Sequence, residues 1–125
     1  MGLPVNNAES TLPASEALRF EDLLAYAPHG IASRVLAKSS GGNVTVFAFE
    51  TSQGLTEHTS PFDALVFILE GAMTLTIGGS VVKAPAGSVT RMPAGIPHGL
   101  EADMRTRMLL VMLREARPSA APGPA

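Results

Sequence analysis

The sequence predicts an all-β fold, a sandwich or barrel of short strands with one short helix near the N-terminus. Three observations carry that expectation. Beyond residue 30, short apolar runs are separated by Gly, Pro and Asn, which is the punctuation of strands and tight turns. Gly78-Gly79 separates two such runs, and paired glycines supply the positive φ angles of a two-residue hairpin. The runs ALVFIL (64–69) and MLLVML (108–113) do not alternate, so they read as strands covered on both faces.

The elements follow in order. Residues 1–15 are polar, with Pro4 and Pro13, and are expected to be unstructured. Phe20, Leu23 and Leu24 have helical spacing, with Glu21 and Asp22 in a first turn, which predicts a helix over 20–26 stopped by Pro28 and Gly30. Strands are expected at 33–38, 43–50, 57–60, 64–70, 73–77, 81–84, 88–92, 98–101 and 105–114. The tail RPSAAPGPA (117–125) has no side chain larger than Ala to bury among its apolar residues and is expected to be disordered. The folded body is therefore one domain over 16–116. A chain of 125 residues buries roughly 68% of its unfolded surface, enough for a core without staples.

Composition removes several function classes. The chain has no cysteine, which excludes disulfides, thiolate nucleophiles and Cys-based zinc sites. The net charge is −2, and Arg105, Arg107, Arg114 and Arg117 are the only basic concentration; nucleic-acid binding needs a denser footprint. The longest apolar runs are about a third of the roughly 20 residues of a spanning helix. No positive charge precedes Arg19 and the N-terminus has no apolar h-region, so no secretion signal is read. No membrane or nucleic-acid partner is expected, and the expected location is the cytoplasm.

Two stretches carry chemistry. In GLTEHTSPFDALVFILEG, Gly54, His58 and Gly71 stand near the glycine, first histidine and closing glycine of a known pattern. Ser60 and Ala64 stand where that pattern has its second histidine and its glutamate. In GSVTRMPAGIPHGLEA, Gly87, Pro93, Gly95 and His98 match a second pattern, and Ala102 replaces its final asparagine. On these residues the chain resembles the cupins, specifically the small single-domain barrels of the cupin 2 type. The resemblance spans nearly all of the folded body. It implies a double-stranded β-helix, or jelly roll, with an internal cavity, and it suggests homodimers. It leaves activity open, because that fold carries enzymes, storage proteins and sensors.

Metal-binding members supply three histidines and one glutamate; this chain offers His58 and His98. Ala64 cannot ligate and neutral Ser60 is a poor ligand. Asp63 points outward if its strand is regular. A bulge beside Pro61 turns it inward instead, and His58, Asp63 and His98 then compose a triad suited to iron(II). The cofactor expected on that reading is a divalent Fe, Mn, Ni, Cu or Zn ion. Without metal, the histidines line a ligand pocket with Ser60, Ala64, Val66, Ile68 and Leu100, which share their strand parity. Met73, Met92, Met108 and Met112 are candidates for a soft wall of that pocket or for plain core.

Three functions follow: a barrel binding a small organic molecule with or without a metal, a metal-dependent dioxygenase or isomerase using His58 and His98, and a non-catalytic sensor. The strand 64–69 also predicts association. Leaving Leu65, Phe67 and Leu69 in water forfeits about 1.5–3 kcal/mol each, and a two-fold homodimer covers them most simply.

Overall fold

The computed structural model describes residues 11–114. The segments 1–10 and 115–125, where most of the expected disorder falls, lie outside the described residues. Nine strands form: β1 (Ile31–Ser39), β2 (Gly42–Phe49), β3 (Gly54–His58), β4 (Phe62–Glu70), β5 (Ala72–Ile77), β6 (Ser80–Pro85), β7 (Val89–Met92), β8 (His98–Ala102) and β9 (Thr106–Arg114). They make two antiparallel sheets, of order β1-β2-β9-β4-β7 and β3-β8-β5-β6. Facing sheets of this order are the double-stranded β-helix.

Turn chemistry sets the strand lengths. Gly78 and Gly79 join β5 to β6 with φ of 57° and 87°, and Ile77 pairs with Ser80 across them. Only glycine takes two consecutive positive φ values at little cost. β4 shows how an apolar run can still have a register. Ala64, Val66 and Ile68 are buried while Leu65, Phe67 and Leu69 are half-buried, so two faces alternate beneath a sequence that does not. The inner faces meet in a core centred on Phe49, Val66, Ile68, Met73, Leu75 and Met108.

The expected helix over 20–26 is replaced by a single 3-10 turn at Phe20–Asp22. Arg19 gives that turn no side-chain cap, so nothing satisfies the first N–H groups of a longer helix. The segment serves instead as a strap across the outer face of the five-stranded sheet. Leu23 is buried against Leu36 and Val46, with Leu24, Val44, Leu69 and Leu109 around them. Main-chain groups of the strap are gripped from below: Arg34 donates to the Leu23 carbonyl at 3.0 Å and Arg107 to the Glu21 carbonyl at 2.9 Å. The Tyr26 hydroxyl donates to Glu70 at 2.6 Å, and the guanidinium groups of Arg105 and Arg107 lie over its ring at 4.7 and 4.8 Å. Burial and the Glu70 carboxylate together hold the Tyr26 phenol well above its ordinary range. The strap thus shields Leu69 and Leu109, part of the face for which the sequence called for a partner.

Candidate functional site

The site is built by a defect in the sheet. β3 pairs with β8 as Leu55 with Leu100, and then as His58 with His98, across a register shift. One extra residue on β3 is a β-bulge. It reverses the alternation, so Leu55 and His58 both face inward although three positions apart. Gly99 sits opposite the bulge, where an added Cβ meets the Glu57 nitrogen and the Leu55 oxygen at 3.2 Å each. A side chain there crowds the bulged backbone, and glycine leaves it room.

The bulge sets the two histidines side by side, ring centroids 4.5 Å apart and edge to face. His98 is buried at 5% exposure, while His58 is exposed at the cavity mouth. Each Nδ1 is engaged by a main-chain carbonyl two residues earlier: Thr56 at 2.7 Å for His58, Ile96 at 3.1 Å for His98. A carbonyl only accepts, so each Nδ1 carries the proton of the neutral ring. In that tautomer Nε2 is a bare lone pair, the form in which imidazole accepts a hydrogen bond or ligates a metal.

The loop before His98 is fixed from the other side. Gly95, at φ 78°, donates its N–H to the Ser60 carbonyl at 2.8 Å. Asp63 completes the clamp, its carboxylate accepting from the Ala94 N–H at 2.9 Å and from Arg91 at 3.1 Å. These two donors, the main-chain N–H foremost, hold the Asp63 carboxyl below its usual range. Asp63 is therefore not brought to the histidines. β4 is regular at this point, and its own register shift falls between Ile68 and Glu70. The bulge that matters lies upstream, in β3, and it turns His58 inward rather than Asp63.

Around the histidines is a half-closed cavity of about 50 Å³. The structure brings His58, Ser60, Ala64, His98 and Leu100 to its wall. Val66 and Ile68 share their face but sit deeper, at 0% and 2% exposure in the packed core. Sequence reasoning did not place Leu55 or Leu110 in this wall; of the four methionines offered as soft wall or plain core, Met92, Met108 and Met112 line the cavity and Met73 lies in the core. Parity from a known inward residue would have found Leu110 and Met112, but β9 is apolar on both faces and supplied no such anchor. Met92 is opposite Ala64 across the β4–β7 pair.

A cupin metal centre of three histidines and one glutamate does not fit these residues. Ser60 and Ala64 hold two of its positions, and Asp63 is engaged with Arg91 and Ala94. Among the described residues no three or more His, Cys, Asp or Glu side chains gather where they could hold a metal ion.

A two-sheet jelly roll with an inward histidine pair near one end defines the class of barrel that comparison now specifies. Residues 45–113 match the family model for the cupin domain, Cupin_2, and the chain belongs to the cupin family. No curated protein matches it. It is similar to a conserved protein of unknown function from Streptococcus pyogenes, at 31% identity and a TM-score of 0.79, covering 84% of this chain and 92% of that one. It is also similar to a cupin 2 conserved barrel protein from Leptotrichia buccalis, at 29% identity and a TM-score of 0.72, covering 74% of this chain and 45% of that one. A cupin superfamily protein from Desulfitobacterium hafniense shares the fold, with 24% identity, a TM-score of 0.78 and coverage of 84% and 96%. No helix among the described residues is long and apolar enough to cross a membrane.

Proposed function

We propose that this cupin binds a very small ligand in the barrel cavity, held by the Nε2 atoms of His58 and His98. The observation that carries the reading is the matched pair of Nδ1 contacts to main-chain carbonyls, at 2.7 and 3.1 Å. They orient both rings before any ligand arrives, which lowers the ordering cost of binding. Two lone pairs in an apolar wall select a molecule with two donors, or a metal ion. Sites for drug-sized ligands run to about 300–1,000 Å³; a cavity of about 50 Å³ takes only a few non-hydrogen atoms without rearranging. Among the described residues no carboxylate lines the cavity, and the reading is one of binding, with no catalytic step assigned. The test is a titration of small hydrogen-bond donors, such as short amides and ureas, read on the imidazole nitrogens by NMR. The reading expects saturable Nε2 shifts that His98→Ala abolishes, and a panel leaving both Nε2 signals unmoved contradicts it.

The proposal includes a cytoplasmic homodimer. The cysteine-free composition suits a reducing compartment. The strap leaves part of the outer sheet uncovered, with Leu65 and Phe67 half-buried and Val89 and Leu113 at 54% and 48% exposure. A self-complementary interface across that strip removes it from water. Light scattering on the tag-free protein should give twice the chain mass of 13.0 kDa. A single 13.0 kDa species at micromolar concentration contradicts the dimer.

A further inference from the structure

We infer that the cavity is a site for a soft monovalent cation, copper(I), held by His58 and His98 together with the thioethers of Met92, Met108 and Met112. The inference rests on the reading that the cavity between the two histidines is the binding site, and it names the ligand.

Donor chemistry comes first. Among the described residues, the cavity wall holds two histidines and three methionines and no carboxylate. Thioethers are soft, and with imidazole they favour Cu(I), whereas Fe(II), Mn(II) and Mg(II) favour oxygen ligands. Two of the methionines are also the cross-strand neighbours of the position that the usual cupin glutamate would occupy. Ala64 stands there, and its paired neighbours are Met92 on β7 and Met112 on β9. The small alanine thus lies between two methionines on the inner face.

Charge decides between oxidation states. The cost of moving an ion into a low-dielectric site scales with the square of its charge, and a lone uncompensated ion loses many kcal/mol of hydration. With no anionic side chain in the wall among the described residues, a divalent ion keeps its full double charge, and its penalty is about four times that of a monovalent one. A neutral set of imidazoles and thioethers suits a single charge. Burial agrees: Met92 and Met108 are at 2% and 0% exposure, and the cavity of about 50 Å³ suits an ion better than an organic molecule of ordinary size. Leucine would fill an apolar wall as well as methionine and specify it better. Three of the chain's six methionines stand in this one wall.

The test is an anaerobic titration of the full-length, tag-free protein with Cu(I) against a chromophoric Cu(I) chelator, and with Zn(II) in parallel. One Cu(I) should bind per chain, and X-ray absorption should show sulfur bonded to copper. Met92→Leu, Met108→Leu and Met112→Leu together keep volume; they should weaken Cu(I) by about 100-fold and Zn(II) by less than about threefold. His98→Ala should weaken Cu(I) by a similar factor. If the triple variant does not fold, selenomethionine protein takes its place, and selenium should then appear bonded to copper. Unchanged Cu(I) affinity in the triple variant, or copper bonded to neither sulfur nor selenium, overturns the inference. Absence of Cu(I) binding while small donors still shift the Nε2 signals overturns copper and leaves the small-ligand reading standing. Absence of both removes the two together.

Discussion

Gly71→Ala should destabilise the barrel by about 3–5 kcal/mol, the sum of left-handed strain and overpacking against main chain. Gly71 makes the corner between β4 and β5, where the chain passes from one sheet to the other, and its φ is +90°. A Cβ there runs into the Arg105 carbonyl oxygen, and comes within 2.5 Å of Thr106 Oγ1 and 2.8 Å of Thr106 Cα. Thr106 cannot yield, because it is fully buried. Its hydroxyl oxygen accepts from the Ala72 N–H at 3.1 Å, with its own proton facing the Met104 and Ala72 carbonyls at 2.8 and 3.0 Å. Gly79 supplies the control. Its φ is +87°, yet nothing lies within 4 Å of an added Cβ. Gly79→Ala should therefore cost only the strain, about 1–2 kcal/mol. Urea unfolding of both variants makes the comparison, and equal losses would show that the contact with Arg105 and Thr106 is not what fixes Gly71.

Arg107→Ala should cost about 2–4 kcal/mol, through loss of a charge-assisted hydrogen bond and of packing under the strap. Arg107 is 8% exposed although it stands on the outer face. Nη1 holds the Glu21 carbonyl at 2.9 Å, the guanidinium lies over Tyr26, and Nε is 3.6 Å from Glu70. That last distance is an ion pair without a hydrogen bond, and Nε is the one buried side-chain polar atom among the described residues without a hydrogen-bond partner. Alanine frees the strap from β9 and exposes Leu36, Val46 and Leu109. Hydrogen exchange should then show loss of protection over residues 20–30 beyond that in the opposite sheet. A variant with wild-type stability and unchanged exchange there would mean that Leu23 and Leu24 hold the strap unaided.

Much of this fold is legible in the sequence, for local reasons. The Gly78-Gly79 pair specifies the β5–β6 hairpin by itself. The spacing of Gly87, Pro93, Gly95 and His98 carries the family, and with it the two-sheet topology that no local signal contains. The strap is not legible, because Phe20, Leu23 and Leu24 have helical spacing, yet only Leu23 and Leu24 pack on the sheet while Phe20 is exposed. β3 was expected at 57–60 and runs from Gly54 to His58. Its pairing is interrupted by a bulge, and bulges erase the period-two pattern from which a strand is recognised. Ser60 falls beyond it, where its hydroxyl accepts from the Phe62 N–H at 3.1 Å and forms the turn into β4.

The candidate site was legible in its histidines and only in part in its wall. His58 and His98 were found from the motifs, and strand parity led on to Ala64 and Leu100. The same parity carried too far along β4, to Val66 and Ile68, since alternation tells which face a residue is on and not how deep it sits. Met108, Leu110 and Met112 come from the run 108–113, which has no polar residue within it to mark its faces. Asp63 was left open between two placements: regular alternation pointed it outward, and a bulge beside Pro61 would have turned it in. The strand is regular there, and what the sequence did not show is that the carboxylate holds Arg91 and the Ala94 N–H of the loop that carries His98.

The claim beneath all these readings is that the fold presents two bare Nε2 atoms to one cavity before any ligand arrives. A long-range nitrogen–proton NMR spectrum of the ligand-free protein, at a pH where both imidazoles are neutral, tests it directly. The account predicts that His58 and His98 are both in the Nδ1–H tautomer, with Nε2 unprotonated. Either ring in the Nε2–H tautomer, which is the commoner form in water, would contradict it.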